Sequence, residues 1–137
     1  SGASFVVFGD NFTQSVTNVG TTNGETLTGT IENDIIFAGE GDDTINGTSG
    51  EDRLSGGNGA DVFIFSRDDG SSIITDFSTM DGDQVDVSKF GFANWAELQP
   101  HLTATIGNNT QLTLDTDTFV YFEDIVYDEL SETDFII

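Results

Sequence analysis

The sequence predicts an all-β protein: a right-handed parallel β-roll of short strands, continued by a C-terminal β-sandwich-like cap with one short helix. Three observations predict it. A nine-residue period runs without gaps through residues 20–64, one phase of that period is always a large apolar residue, and glycines crowd the other half of each block. The 137 residues are the length of a single domain. They divide into an N-terminal strand or linker (1–19), five repeats (20–64) and a post-repeat cap (65–137).

Written in nines, residues 20–64 read GTTNGETLT, GTIENDIIF, AGEGDDTIN, GTSGEDRLS and GGNGADVFI. The sixth position is Glu25, Asp34, Asp43, Asp52 and Asp61; the eighth is Leu27, Ile36, Ile45, Leu54 and Phe63. Glycines at the first, second and fourth positions supply backbone angles that other residues resist, so that half is a tight turn. The last three residues alternate outward, inward, outward, as a strand with one buried face does. One block buries nothing alone. Two blocks therefore form one coil, the eighth-position residues fill a narrow interior, and block n lies over block n+2.

The cap follows from weaker signals. Asn94 with Glu97 starts a short helix through Trp95 and Leu98, which breaks near Pro100. Alternating segments at 102–106, 110–114 and 118–122, with a turn at Gly107-Asn108-Asn109, read as antiparallel strands. Phe63, Phe65, Phe77, Phe90, Phe92, Phe119 and Phe122 are assigned to the core. At the other end, Ser4-Phe5-Val6-Val7-Phe8-Gly9 reads as one strand.

Composition removes several classes of function. There are 25 Asp+Glu against 3 Lys+Arg, a formal charge of −22. Nucleic acid and anionic membrane surfaces are excluded as partners, because only Arg53, Arg67 and Lys89 could meet a phosphate. Without cysteine there is no disulfide, thiolate chemistry or Cys-type zinc. No apolar run approaches the ~18 residues of a membrane span, and no leader peptide is in view. Catalysis has little support: His101 follows Pro100 with no local nucleophile, and phosphate-loop, H-E-x-x-H and G-x-S-x-G strings are absent. Repulsion between so many acids opposes compaction, yet 36% of residues are hydrophobic, enough to line a core once the acids are neutralised.

The blocks resemble the nonapeptide GGxGxDxUx of the RTX (repeats-in-toxin) family. Block five, Gly56 to Ile64, matches in full; blocks three and four each miss one glycine, at Ala38 and Thr48. Blocks one and two depart further, with Asn23 and Glu32 at the fourth position and Glu25 for the aspartate. Ile74-Thr75-Asp76-Phe77 and Gly82-Asp83-Gln84-Val85-Asp86-Val87-Ser88 resemble the family's post-repeat stretch. The V-F-G at residues 7–9 resembles the end of an FG-GAP β-propeller repeat, which implies a propeller upstream.

The resemblance implies Ca²⁺, about three ions or more. Its ligands would be the carboxylates of Asp34, Asp43, Asp52, Asp61 and Glu25, with turn carbonyls at Gly39, Gly41, Gly50, Gly57 and Gly59; Asp76, Asp83 and Asp86 match further sites after the repeats. Asp43 with Asp61 is the leading pair, then Asp34 with Asp52. Calcium takes six to eight oxygens at about 2.3–2.6 Å, and an irregular shared cage does not suit magnesium. An isolated acid is ordinarily a solvated side chain; the repeated phase separates these from Asp68, Asp69, Asp115, Asp117 and Asp124, which are read as surface or turn residues. The family further implies a bacterial, secreted, extracellular and monomeric module that folds on calcium, with a type I (ABC) secretion signal in Glu132 to Ile137. The alternative is a calcium-dependent polysaccharide- or surface-binding module.

Overall fold

The structure is a computed structural model that describes residues 15–137; the strand expected at 4–9 lies outside the described residues. Twelve strands are β1 (Ser15–Val19), β2 (Thr26–Thr28), β3 (Asp34–Phe37), β4 (Thr44–Asn46), β5 (Gly50–Ser55), β6 (Val62–Ile64), β7 (Gly70–Ile74), β8 (Gln84–Asp86), β9 (Leu102–Ala104), β10 (Thr110–Thr113), β11 (Phe119–Phe122) and β12 (Phe135–Ile136). One short helix, α1, spans Trp95–Leu98.

The strands form two sheets. One has seven strands in the order β1-β3-β5-β7-β11-β10-β9, the other five in the order β12-β8-β6-β4-β2. Successive repeats thus alternate between sheets, and each strand pairs in parallel with the one two blocks away. Leu27 sits opposite Ile45, Ile45 opposite Phe63, and Ile36 opposite Leu54. The stack also starts earlier than the first repeat, because β1 pairs in parallel with β3.

That register builds the core as two columns between the sheets. Leu27, Ile45, Phe63, Val85 and Phe135 form one, Ile36, Leu54, Ile74 and Phe122 the other, and all are buried. Each such side chain stabilises the fold by about 1.5–3 kcal/mol. The coil is 18 residues long while Ile36 pairs with Leu54, but Leu54 pairs with Ile74 and Val62 with Gln84, so later coils are longer.

The cap extends both sheets rather than forming a separate layer. β11 pairs in parallel with β7, then β10 and β9 turn antiparallel, and β12 closes the other sheet on β8. Phe77 meets Phe122 edge-on at 5.1 Å, Phe122 meets Phe135 at 6.4 Å, and Trp95 lies 5.5 Å from Phe135. Asn94 caps α1 by accepting the Glu97 N–H at 3.2 Å. The return bond goes one residue earlier than a capping box requires, from the Ala93 N–H to Glu97 at 2.8 Å. Phe63, Phe65, Phe77, Phe90 and Phe122 are buried; Phe92 packs on the core partly exposed, and Phe119 is half-buried. Among the described residues no helix is long and apolar enough to cross a membrane.

Candidate metal centre

Stacking places the sixth-position acids directly over one another at the mouths of the coils. From Asp43 on, each uses one carboxylate oxygen to hold the coil before it. Asp43 Oδ1 accepts the Glu25 N–H at 2.8 Å, and Asp52 Oδ1 accepts the Asp34 N–H at 2.9 Å. Asp61 Oδ1 accepts the Asp43 N–H at 2.9 Å, and Asp83 Oδ1 the Asp61 N–H at 2.9 Å. Asp83 thus continues the row beyond the repeats.

The second oxygens differ. Glu25 Oε1 accepts the Thr21 N–H and hydroxyl at 2.5 and 2.8 Å. Asp34 Oδ2 accepts those of Thr30 at 2.6 and 3.1 Å, and Asp83 Oδ2 accepts the Ser78 N–H at 2.8 Å. Asp43, Asp52 and Asp61, each about 1% exposed or less, have an Oδ2 that is buried and without a hydrogen-bond partner. A buried polar atom left unpaired is costly, and a buried charge more so.

The backbone explains the difference. At the second position of blocks three to five, Gly39, Thr48 and Gly57 have φ of 107°, 68° and 84°. Gly41, Gly50 and Gly59 at the fourth position have φ of 111°, 123° and 118°, values that favour glycine. With the turn reversed in this way, the second-position N–H no longer reaches its own block's carboxylate. Thr48 donates to Asn46 Oδ1 at 3.0 Å, and Gly57 donates to Asp76 Oδ2 at 2.9 Å. In every one of blocks two, four and five the carboxylate lies against the first-position glycine: a methyl group on Gly29, Gly47 or Gly56 would stand 2.5, 2.3 or 2.2 Å from the Oδ2 of Asp34, Asp52 or Asp61.

Burial, reinforced by neighbouring carboxylates, raises the Asp43 pKa and pushes Asp52 and Asp61 up to about 7. Asp83 rises to about 6 for the same reason. The basic side chains do not relieve this. Arg53 pairs with Glu123 at 3.6 Å, Arg67 donates to the Phe90 carbonyl at 3.1 Å, and the Lys89 ammonium donates to the Ser66 hydroxyl at 3.0 Å.

The donors on offer are all oxygen: orphaned carboxylates, and turn carbonyls at close stacking, the Gly39 and Gly41 oxygens lying against Gly57 and Gly59. Among the described residues no three acidic or histidine side chains gather at one point, so carbonyls must complete any cage. Such a set fits a hard cation.

The remaining expected ligands are placed differently. Asp76 grips the block-five turn, accepting the Gly56 N–H at 3.0 Å and the Ser55 hydroxyl at 2.6 Å, and its charge acts on Asp61. Asp86 stands apart, half-buried on β8, bonded to the Ser88 N–H and hydroxyl at 3.0 and 2.6 Å. Asp69, read as a surface or turn residue, is buried at 8% exposure. His101 bonds the Thr113 carbonyl through Nδ1 at 2.7 Å and packs edge-on against Phe92 at 4.9 Å, a structural role.

Two residues went unmarked in the sequence. Asn33 and Asp42, one place before the acid, accept the N–H groups of Glu51 and Ala60 in the next coil at 2.9 Å. Their recurrence at one phase was the available signal.

A family model described as the RTX calcium-binding nonapeptide repeat matches residues 19–54, 28–63 and 41–71. The chain carries RTX calcium-binding repeats. No curated protein matches it, but solved RTX modules do. The AlgE6R2 subunit of the Azotobacter vinelandii mannuronan C5-epimerase is 26% identical with a TM-score of 0.59, over 88% of this chain and 92% of that one. The AlgE6R3 subunit of the same enzyme is 26% identical with a TM-score of 0.56, over 85% and 80%. Extracellular lipase LipA of Serratia marcescens shares the fold at 19% identity and a TM-score of 0.54, over 86% of this chain but 20% of the lipase.

Proposed function

We propose that this chain is a non-catalytic, calcium-dependent folding module of a larger exported bacterial protein. The observation that carries the reading is the set of three buried, partnerless carboxylate oxygens, on Asp43, Asp52 and Asp61, aligned with the coil stack. The repeat ions are held by the open oxygens of Asp43, Asp52 and Asp61, completed by carbonyls of the Gly39, Gly41, Gly50, Gly57 and Gly59 turns. Glu25, Asp34, Asp76, Asp83 and Asp86 contribute less, since their oxygens already have protein donors.

Where calcium is scarce, carboxylate repulsion holds the chain open. Outside the cell, affinities of ~10⁻⁴–10⁻³ M suffice, and binding free energy becomes folding free energy. The C-terminal segment serves a type I exporter while unfolded and a last strand afterwards, Phe135 being buried on β12. Calcium titration followed by circular dichroism tests this: the β signal grows with calcium and collapses on adding EGTA. A β signal indifferent to EGTA overturns it.

A second reading, polysaccharide binding, is favoured by the likeness to subunits of a mannuronan epimerase and by a groove of about 330 Å³ on the outer face of the seven-stranded sheet, lined by Arg53, Ile73, Asn109, Tyr121 and Glu123. Glycan-array binding that disappears on chelation would establish it.

A further inference from the structure

The seven-stranded sheet ends on β9, which pairs with β10 on one side and, among the described residues, with nothing on the other. The hairpin fixes which of its backbone groups are free. Thr105 donates its N–H to the Asn109 carbonyl at 3.0 Å, and antiparallel pairs alternate, so Thr103 bonds Gln111 while Leu102 and Ala104 aim their backbone groups away from β10. The Leu102 N–H closes on the Gln99 carbonyl. That leaves the Ala104 N–H and the carbonyls of Leu102 and Ala104 as an open ladder. β9 is short, but it carries none of the lysine, proline or bulge that blunt an edge.

Beside this edge lies an open groove of about 440 Å³, lined by Leu102, Ala104, Val126, Tyr127 and Asp128. Leu102 and Ala104 share one face of β9, where Leu102 is buried in the core and Ala104 is exposed past its end. Val126 is 36% exposed, and Ile106 at the hairpin tip 96%. The floor is thus apolar and the rim acidic. Asp128 and Glu129 are exposed, and among the described residues no basic side chain pairs with either. His101, the basic residue next to β9, is turned onto the Thr113 carbonyl and Phe92.

We propose that the β9 edge and this groove bind an extended peptide segment of another protein, added to the sheet as an eighth strand, with two apolar side chains on its groove face flanked by lysine or arginine. Main-chain pairing to Ala104 and Leu102 supplies affinity, and the groove selects every second side chain. The flanking cations meet Asp128 and Glu129, whose charge nothing in the cap offsets. A second copy of this chain is the poorer occupant, because pairing β9 with β9 brings together two acidic rims and two chains of charge −22. The surface lies in the cap, away from the repeat carboxylates, so it stands or falls apart from the calcium reading.

The whole chain at saturating calcium, shown to be folded by circular dichroism, is titrated into a labelled, end-blocked peptide Lys-Thr-Val-Thr-Val-Thr-Lys. Fluorescence anisotropy should show saturable binding, and amide exchange read by NMR should slow at Ala104. Ala104→Pro deletes the free N–H without touching the ladder to β10, and should weaken binding at least tenfold. Asp128→Lys should weaken it several-fold and remove the preference over the same peptide ended in glutamate. No saturable binding, or binding that Ala104→Pro leaves unchanged, overturns the proposal. A dimer in sedimentation without peptide, dissolved by Ala104→Pro, overturns it in favour of self-pairing. Should Ala104→Pro fail to fold, exchange at Ala104 in the unaltered chain decides.

Discussion

The first coil and the coils after it carry an acid at the same phase, Glu25 and Asp34 in the first and aspartates in the rest, and from Asp43 on each acid also holds the turn before it through one oxygen. They part at the second oxygen. In blocks one and two a threonine N–H and hydroxyl close on Glu25 and Asp34; in blocks three to five the corresponding oxygen is left open. Thr48 shows that residue type alone does not decide this. It is a threonine, but its φ of 68° turns its N–H away from Asp52 toward Asn46. The conformation that glycine favours withdraws the protein's own donors, and that withdrawal prepares the carboxylate for a cation. The first coil is accordingly self-satisfied, and the later coils are the calcium-dependent part.

The strongest way to break this contrast is to neutralise one acid in each region. Asp61→Asn should raise the calcium midpoint of folding, read by circular dichroism, by about tenfold to a hundredfold, the equivalent of roughly 1.5–3 kcal/mol for a hydrogen-bonded charge. Glu25→Gln should move it by less than about threefold, because its oxygen already has neutral donors in the protein. Equal shifts for the two variants would erase the distinction.

The next effect is pH-dependent and is expected only without calcium. The folded pKa values of Asp52 and Asp61 are raised from 3.8 to about 7 by burial and like charge. Carboxyls raised in this direction favour the metal-free fold most below the unfolded value, and the advantage is lost as pH climbs from 3.8 through about 7. In EGTA the β signal should therefore be larger at pH 4 than at pH 7.5, with saturating calcium flattening the profile. A metal-free fold more stable at the higher pH contradicts the buried-acid account.

The smallest effect lies in the first coil. Thr30→Val removes one hydroxyl donor from Asp34 and should cost about 1 kcal/mol in denaturant unfolding with calcium present, with no change in the number of ions bound. An extra ion would mean that the threonine occupies a cation's place rather than replacing it.

Much of this arrangement was legible in the residues. The nine-residue phase named Leu27, Ile45 and Phe63 as one core column, put Asp43 over Asp61, and located the turns; the Asn94 cap and the three antiparallel strands of the cap were readable from local patterns. Asp76 was recognisable as important, but its grip on the block-five turn, some twenty residues back, was not. Asp69 lies in a turn as read, but its burial was not legible because the repeat had ended, and Asp86 looked equivalent to Asp83 although it faces outward on β8.

The sequence by itself determined the coil, its alternation between two sheets and the row of acids. These depend on a period, and a period is present in every block. Tertiary structure alone decided which carboxylate oxygens stay unpaired, and that Ser72 rather than an acid faces Asp52. Those outcomes depend on φ angles at Thr48 and the glycines, and on coils that lengthen after block five. They come from contacts between turns 18 to 22 residues apart, which no single block contains.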